Sequence, residues 1–322
     1  MTASVIRSDS TNPHWNLALE RFLLESVAED EVILYLWRNK DTVVIGRSQN
    51  PWSECSVPAM RCDGVTLARR SSGGGAVYHD LGNLNFTFVA QDRLYDQDRQ
   101  FDTVLTAVRM LGLDAVRSGR NDITIDDRKF SGNAFTQSGV RRCHHGTLLI
   151  SADMDALTRY LSVPAAKLRA KGVRSVRSRV CNLADWDGSI DVERVDSALA
   201  GAFAEQYTPP SQRILSDADR RRVGELYAHY SSETWVFGQT LAFDCELEER
   251  FAWGGVTVQL FVDAGRVVSV RVYTDALDAE LAPELERRLS GCKLSSQDLA
   301  GAARGGGEVW DEVAGWLARQ GL

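Results

Sequence analysis

The sequence lacks most of the features that mark a special environment. No stretch approaches the ~18 consecutive apolar residues that a membrane-spanning helix needs, and 25% of the 322 residues are charged. Cysteines are few and scattered, at 55, 62, 143, 181, 245 and 292, with no Cys-x-x-Cys among them. That pattern argues against a zinc ribbon or a redox pair and fits a reducing compartment. Positive charge is not in excess: 37 Lys and Arg against 44 Asp and Glu leave a net charge of −7. An acidic balance argues against general nucleic-acid binding. Met1 to Pro13 has neither the apolar core of a signal peptide nor the basic character of a transit peptide. These absences together predict a cytoplasmic protein with no membrane association.

What is present is an ordinary globular balance, with 44% hydrophobic residues. The length suits one large domain, or one with a small companion. Asn12-Pro13 predicts a helix start, and Leu19, Phe22, Leu23 and Val27 follow at helical spacing with Glu20 and Glu25 off that face. Strands are predicted at 32–37, 42–46, 84–89 and 147–150, and short strands within 114–136. Helices are predicted at 104–113, 154–161, 192–207 and 217–230. Strand 32–37 has two apolar faces, so it is expected to be covered on both sides. One face is expected to meet the helix of Phe22 and Leu23, and the face of Trp37 to be the other. Beyond residue 245 the composition changes. Two strands flank the turn Asp263-Ala264-Gly265, and helices are predicted at 280–289, 296–303 and 310–320. The expected division is a domain at 1–245 and a small α+β domain at 246–322, and the fold class is α+β with a mixed sheet.

The most informative stretch is Arg69-Arg70-Ser71-Ser72-Gly73-Gly74-Gly75-Ala76-Val77-Tyr78-His79. Three adjacent glycines permit positive φ and close approach of a ligand to the backbone. Successive free N–H groups in such a turn form a concave anion site, and Arg70 beside it suits a bidentate phosphate clamp. The stretch is neither a Walker loop nor a dinucleotide fingerprint. On its own it reads more readily as a glycine-rich hairpin beside a surface arginine pair.

That stretch, through Asp80-Leu81-Gly82-Asn83, resembles the signature of the lipoate–protein ligase A family. Further similar segments follow in order: Thr42 to Arg47, Gln49 to Trp52, Ser118 to Asp122, Arg128 to Gly132, His144 to Leu149, Trp235 to Gln239 and Phe251 to Val256. The resemblance spans nearly the whole chain. It implies a catalytic domain with the biotin/lipoate ligase fold, related to class II synthetase cores. It also implies ATP-dependent formation of lipoyl-AMP, with transfer of the lipoyl group to a lysine of a carrier. ATP, Mg²⁺ and lipoate, with octanoate as a second acid, are the implied small molecules. The implied carriers are the lipoyl domains of 2-oxoacid dehydrogenase E2 subunits and the glycine cleavage H protein, and a monomer is expected.

The resemblance places the catalytic lysine at Lys129, in contact with lipoate and the α-phosphate. By residue type alone Lys129 is a solvated hairpin lysine. Arg70 and the backbone of Gly75, Ala76, Val77 and Tyr78 are implied to hold the adenylate. Asp122, otherwise an Asx-turn residue, is the candidate Mg²⁺ ligand. Trp37 is either a core tryptophan or the wall of an acyl tunnel. His144 and His145 are neighbours on a strand, point to opposite faces and are expected to have a structural or pocket-lining role rather than to chelate one metal together. His79 is expected to shape the pocket rather than act as acid or base. The basic segment from Lys167 to Arg179 reads either as a solvated loop or as a loop meeting phosphates or an acidic partner. Two rivals remain: an octanoyl or lipoyl acyltransferase using Cys143 as nucleophile, and a non-catalytic lipoate- or carrier-binding protein.

Overall fold

The structure is a computed structural model that describes residues 1–161, 180–238 and 243–322. The basic segment 167–179 and Gln239 lie outside the described residues. The chain divides into two compact units. The first comprises Met1–Ile45, Pro51–Arg70 and Ala76–Val236; the second comprises Gly46–Asn50, Ser71–Gly75 and Phe237–Leu322.

The first unit is built on an eight-stranded mixed sheet. Its strands are β1 (Thr2–Arg7), β2 (Glu31–Trp37), β6 (Asn83–Gln91), β7 (Val116–Ser118), β8 (Asp122–Ile125), β9 (Arg128–Ser138), β10 (Arg141–Leu149) and β11 (Ser211–Gln212). They lie in the order β11-β1-β2-β6-β10-β9-β8-β7. β1 runs parallel to β2 and to β11, and the remaining neighbours are antiparallel. β2 is buried along nearly all its length, as its two apolar faces require. Three short strands, β3 (Thr42–Ile45), β4 (Thr66–Arg69) and β5 (Val77–His79), form a separate sheet in the order β4-β3-β5.

Helices cover both faces of the large sheet. On one face lie α1 (Pro13–Ser26) and the helix Asp217–Tyr230, packed on Ile33, Tyr35, Trp37, Val89 and Cys143. On the other lie the helices Gln97–Met110 and Val192–Gln206, packed on Val32, Leu34, Leu36, Phe86 and Phe88. The expectation for β2 is therefore corrected: Trp37 shares the face covered by the helix of Phe22 and Leu23. Alternation separates Val32, Leu34 and Leu36 from Ile33, Tyr35 and Trp37, but it does not say which set meets which helix.

Local signals fixed several ends. Asn12 caps α1 by accepting from the N–H groups of His14 and Trp15, and Pro13 occupies the first turn, where no N–H is needed. The helix predicted at 104–113 instead starts at Gln97, because Asp96 caps it through the Arg99 N–H. Its polar first turn, Gln97 to Gln100, carries no apolar periodicity to read. β1 was not anticipated; its pairing with β2 is parallel and spans the intervening helix, so no hairpin turn announces it.

The second unit has an antiparallel sheet of β12 (Cys245–Phe251), β13 (Gly254–Asp263) and β14 (Arg266–Thr274). The helices Leu281–Leu289, Ser296–Ala303 and Glu308–Ala318 bury Leu285, Leu289, Leu299, Val313 and Trp316 with Val256, Val258 and Leu260 of the sheet. Ala264 and Gly265 both have positive φ, at 48° and 74°, which closes a two-residue hairpin whose twist matches its strands.

Candidate active site

The β8–β9 hairpin carries Lys129. Its two turn residues, Asp126 and Asp127, have φ of 49° and 60°. Aspartate tolerates this left-handed region better than most residues. The turn pairs Ile125 with Arg128 and Lys129 with Thr124. The Lys129 backbone is fixed further by its carbonyl, which accepts from the Cys181 N–H at 2.9 Å. Its ammonium lies 2.7 Å from Asp122 Oδ1, with about a third of each side chain exposed. Gly132 leaves the room: a β-carbon there would stand 2.9 Å from Lys129 Nζ. The candidate metal ligand and the candidate catalytic cation are thus partners of one another.

The arginine pair that closes β4 is not a surface pair. Arg69 is buried and donates to the carbonyls of Trp235 and Val236 at 2.9–3.1 Å, while Trp235 Nε1 donates back to the Arg69 carbonyl. This exchange accounts structurally for two separate family-like segments. Arg70 is buried as well, and its guanidinium donates to the Val44 carbonyl at 3.2 Å. Burial pulls its pKa down to about 10, opposed by the nearby Glu20 carboxylate. It remains a cation at neutral pH. β5 seats Val77 and Tyr78 against Val44 and Val43. Tyr78 is buried against Tyr160, ring centroids 5.7 Å apart.

Within the second unit, the glycine turn is engaged by the chain itself. The Gly74 N–H, at φ 90°, donates to the Ala276 carbonyl at 2.8 Å. A β-carbon on Gly73 would collide with the carbonyl oxygens of Ala276 and Leu277. The close backbone approach that the glycines permit is used here by the chain itself.

Around Trp37 the first unit has a buried polar chain. Trp37 Nε1 donates to Thr87 Oγ1 at 3.1 Å, and Thr87 Oγ1 donates to Glu20 Oε2 at 2.7 Å. Glu20 is hydrogen-bonded to His145 Nδ1 at 2.8 Å. Trp37 also stacks on Tyr35, centroids 5.8 Å apart, and meets the His79 ring edge-on at 6.3 Å. Asn39 Nδ2 lies 3.1 Å from His79 Nδ1, an arrangement that puts the imidazole proton on Nε2. That Nε2 is buried without a partner among the described residues. Burial, with the Arg70 and His145 charges, pushes the His79 pKa down to about 3, so the ring is neutral. Trp37, Arg70 and His79 thus converge with His145, joined by two residues that the sequence did not single out for this role: Glu20 and Thr87. Glu20 lies off the apolar spacing of α1 yet is only 3% exposed. A carboxylate among Leu17, Ala18, Leu19, Phe22 and Leu23 was the available signal.

His144 and His145 point to opposite faces, as alternation requires. His144 is held between Gln100 Oε1 at 3.0 Å and Asn133 Oδ1 at 2.9 Å, and touches Phe86, Phe88, Phe101 and Phe135. Cys143 is 1% exposed, and burial together with Glu20 raises its thiol well above the ordinary range. A thiol held neutral is a poor nucleophile.

Comparison with known proteins fits this arrangement. The family described as "Lipoyl protein ligase A/B catalytic domain" matches residues 12–204, and "Bacterial lipoate protein ligase C-terminus" matches residues 240–305. The chain is 42% identical over 308 residues to "Lipoate-protein ligase A" of Psychrobacter cryohalolentis, covering 93% of this chain and 91% of that protein. The crystal structure of P. falciparum LipL1 in complex with lipoate aligns over 99% of this chain and 100% of its own, with TM-score 0.86 and 30% identity. A lipoate-protein ligase A bound with ATP aligns over 74% of this chain and 99% of its own, with TM-score 0.65 and 29% identity. The matched catalytic family spans well over half of the sequence and the curated relative nearly all of it. The chain therefore belongs to the lipoate–protein ligase A family.

Proposed function

We propose that the chain is an ATP-dependent lipoate–protein ligase acting in two steps. In the first, a lipoate carboxylate oxygen attacks the α-phosphorus of ATP, a P–O bond forms, and pyrophosphate leaves. In the second, a carrier lysine amine attacks the acyl carbon of lipoyl-AMP, an amide forms, and AMP leaves. The proposed carriers are lipoyl domains of 2-oxoacid dehydrogenase E2 subunits and the glycine cleavage H protein. Octanoate is a second acid for the same pocket, and the proposed setting is a cytoplasmic monomer.

The observation that carries this reading is the Lys129 ammonium set 2.7 Å from a carboxylate oxygen. The ammonium is placed to donate to carboxylate oxygens, so with substrates bound it can donate to a lipoate oxygen on one side and to an α-phosphate oxygen on the other. A preorganised cation offsets the charge that grows on the phosphate as the new bond forms. We assign the grip on the adenylate to Arg70 and to the backbone of Gly75, Ala76, Val77 and Tyr78. We assign the acyl pocket to the buried chain from Trp37 to His145, with the unpartnered His79 N–H as a donor toward the ligand. Mg²⁺ fits the donor set as one carboxylate, Asp122, with phosphate oxygens completing the shell; when bound it would screen phosphate charge. The buried Cys143 thiol disfavours the acyltransferase alternative.

The test is lipoate-dependent exchange of pyrophosphate into ATP. A ligase performs it, whereas an acyltransferase or a binding protein does not. Lys129→Ala is expected to lower the exchange rate by ~10²–10³ with an unchanged melting temperature, because the side chain is partly exposed. Gly132→Ala is expected to displace the ammonium and slow exchange by up to about 10², with the fold retained because the atom it meets is the end of a flexible chain. Normal exchange in Lys129→Ala removes this lysine from the mechanism.

A further inference from the structure

One buried cluster within the region assigned above to the acyl pocket carries a donor set that binding a carboxylic acid does not itself require. Cys143 and His145 are two residues apart on β10, so both face the layer that holds α1. α1 supplies Glu20 to the same spot. One ligand atom from each of Glu20, Cys143 and His145 lies within 4.8 Å of the others, and the residues are 3%, 1% and 7% exposed. We propose that these three side chains form a binding site for a divalent transition-metal ion of the zinc class, held by a Glu20 carboxylate oxygen, Cys143 Sγ and His145 Nδ1 with a fourth position open.

The donor set selects the ion. Magnesium and calcium take oxygen ligands. One thiolate, one imidazole and one carboxylate suit zinc and its neighbours in the transition series. Three protein ligands with an open fourth position are the usual arrangement of a reactive rather than a purely structural zinc site. The spacing is close to what is needed. His145 Nδ1 is 2.8 Å from Glu20 Oε2, whereas ligands on a tetrahedral zinc stand about 3.3–3.8 Å apart. Binding therefore requires the histidine and glutamate to separate by less than about 1 Å, a movement within side-chain reach.

A supporting outer layer already exists. Thr87 Oγ1 donates to Glu20 Oε2 at 2.7 Å, and Trp37 Nε1 donates to Thr87 Oγ1 at 3.1 Å. Such partners orient ligating carboxylates and raise metal affinity. The charge closes as well. The Cys143 thiol releases its proton to solvent, the imidazole proton resides on Nε2, and two anionic ligands neutralise the divalent ion. The ion and its three ligands then carry no net charge, which favours holding a metal in a buried site. Without the metal, the Glu20 carboxylate is close enough to the Arg70 guanidinium to raise its pKa. That balance is the state with which a metal competes. Glu20 and His145 are also assigned above to the acyl pocket, so a bound ion and the acid would compete for this space, whereas metal binding itself is read without the acid.

The test is titration of the metal-free full-length chain with Co²⁺. The expected result is one ion per chain, with a thiolate-to-cobalt charge-transfer band in the near ultraviolet that Zn²⁺ abolishes by displacement. Cys143→Ser is expected to remove the band. Cys62→Ser, which alters an exposed thiol outside the cluster, is expected to leave it. The absence of a band in the wild-type chain, or a band that survives Cys143→Ser, overturns the proposal. If Cys143→Ser fails to fold, X-ray absorption of the zinc-loaded wild-type chain decides. One sulfur at about 2.3 Å with nitrogen and oxygen at about 2.0–2.1 Å supports the site; no sulfur, or more than one, overturns it.

Discussion

Two neighbouring histidines divide the central sheet into a side that holds the fold and a side equipped for chemistry. His144 faces the helices Gln97–Met110 and Val192–Gln206, with its ring nitrogens within 3.0 Å of the Gln100 and Asn133 side chains and four phenylalanines around it. His145 faces α1 and joins Glu20, Thr87 and Trp37 in a chain that leads toward Arg70 and His79. Both rings are buried, so burial alone does not separate structural from functional roles. The partners do. His144 meets only neutral amides and aromatic rings. The other side holds charged groups and an unpartnered donor, an arrangement that costs stability unless a ligand uses it.

The largest expected effect breaks the comparison at its structural end. His144→Ala leaves a cavity among aromatic rings and orphans Gln100 and Asn133. We expect a loss of about 3–5 kcal/mol in urea unfolding. His145→Ala is expected to lose about 1–3 kcal/mol but to impair lipoate adenylation more than its lost stability accounts for. Equal stability losses, with activity lost only through unfolding, would abolish the distinction.

Much of this division was hidden in the sequence for a physical reason. Alternation along Cys143-His144-His145 shows that the two histidines diverge, and it shows nothing of what each one meets. The meetings depend on long-range pairing: Thr87 opposite His145, Tyr35 opposite Thr87, and α1 laid over both. The Lys129 hairpin was more legible, because its turn, strand pair and glycine sit within about ten residues. The glycine turn was legible as a place of close backbone approach. Its occupant, the carbonyl of Ala276, lies some two hundred residues away in sequence. The helix predicted at 217–230 has those bounds in the structure, where Ser216 and Asp219 form a capping box at its start.

A smaller effect sharpens the comparison through pH. Burial holds His144 well below its ordinary pKa and His79 at about 3. Unfolded histidine protonates near 6.5. Below that pH the unfolded chain binds protons that these rings in the folded chain refuse, so stability falls as pH drops from 7 toward 5. Each ring contributes about 2 kcal/mol to that fall. His144→Phe is expected to reduce the pH 7 to pH 5 difference in unfolding free energy by about this amount while His79 still supplies its share. An unchanged difference would mean that His144 takes up a proton in the folded state.

The smallest expected effect concerns the far end of the polar chain. Trp37→Phe keeps an aromatic ring on the α1 side of β2 and removes only the indole N–H and part of the ring. Thr87 loses one donor but still donates to Glu20, so the stability cost is expected to be about 1 kcal/mol, the value of one buried hydrogen bond. The consequence for substrates should be uneven. Lipoate and octanoate share an eight-carbon acid, and lipoate adds the dithiolane ring. If Trp37 bounds the inner end of the acyl pocket, the substitution removes contact with that ring and leaves the carboxylate end untouched. At ~0.8 kcal/mol per buried methylene-sized contact, lipoate adenylation should fall by several-fold relative to octanoate, with the dependence on ATP unchanged. Comparing the two acids in wild type and Trp37→Phe measures this directly. Equal slowing of both acids would make Trp37 a core residue that supports Thr87, and would place the end of the acyl pocket elsewhere.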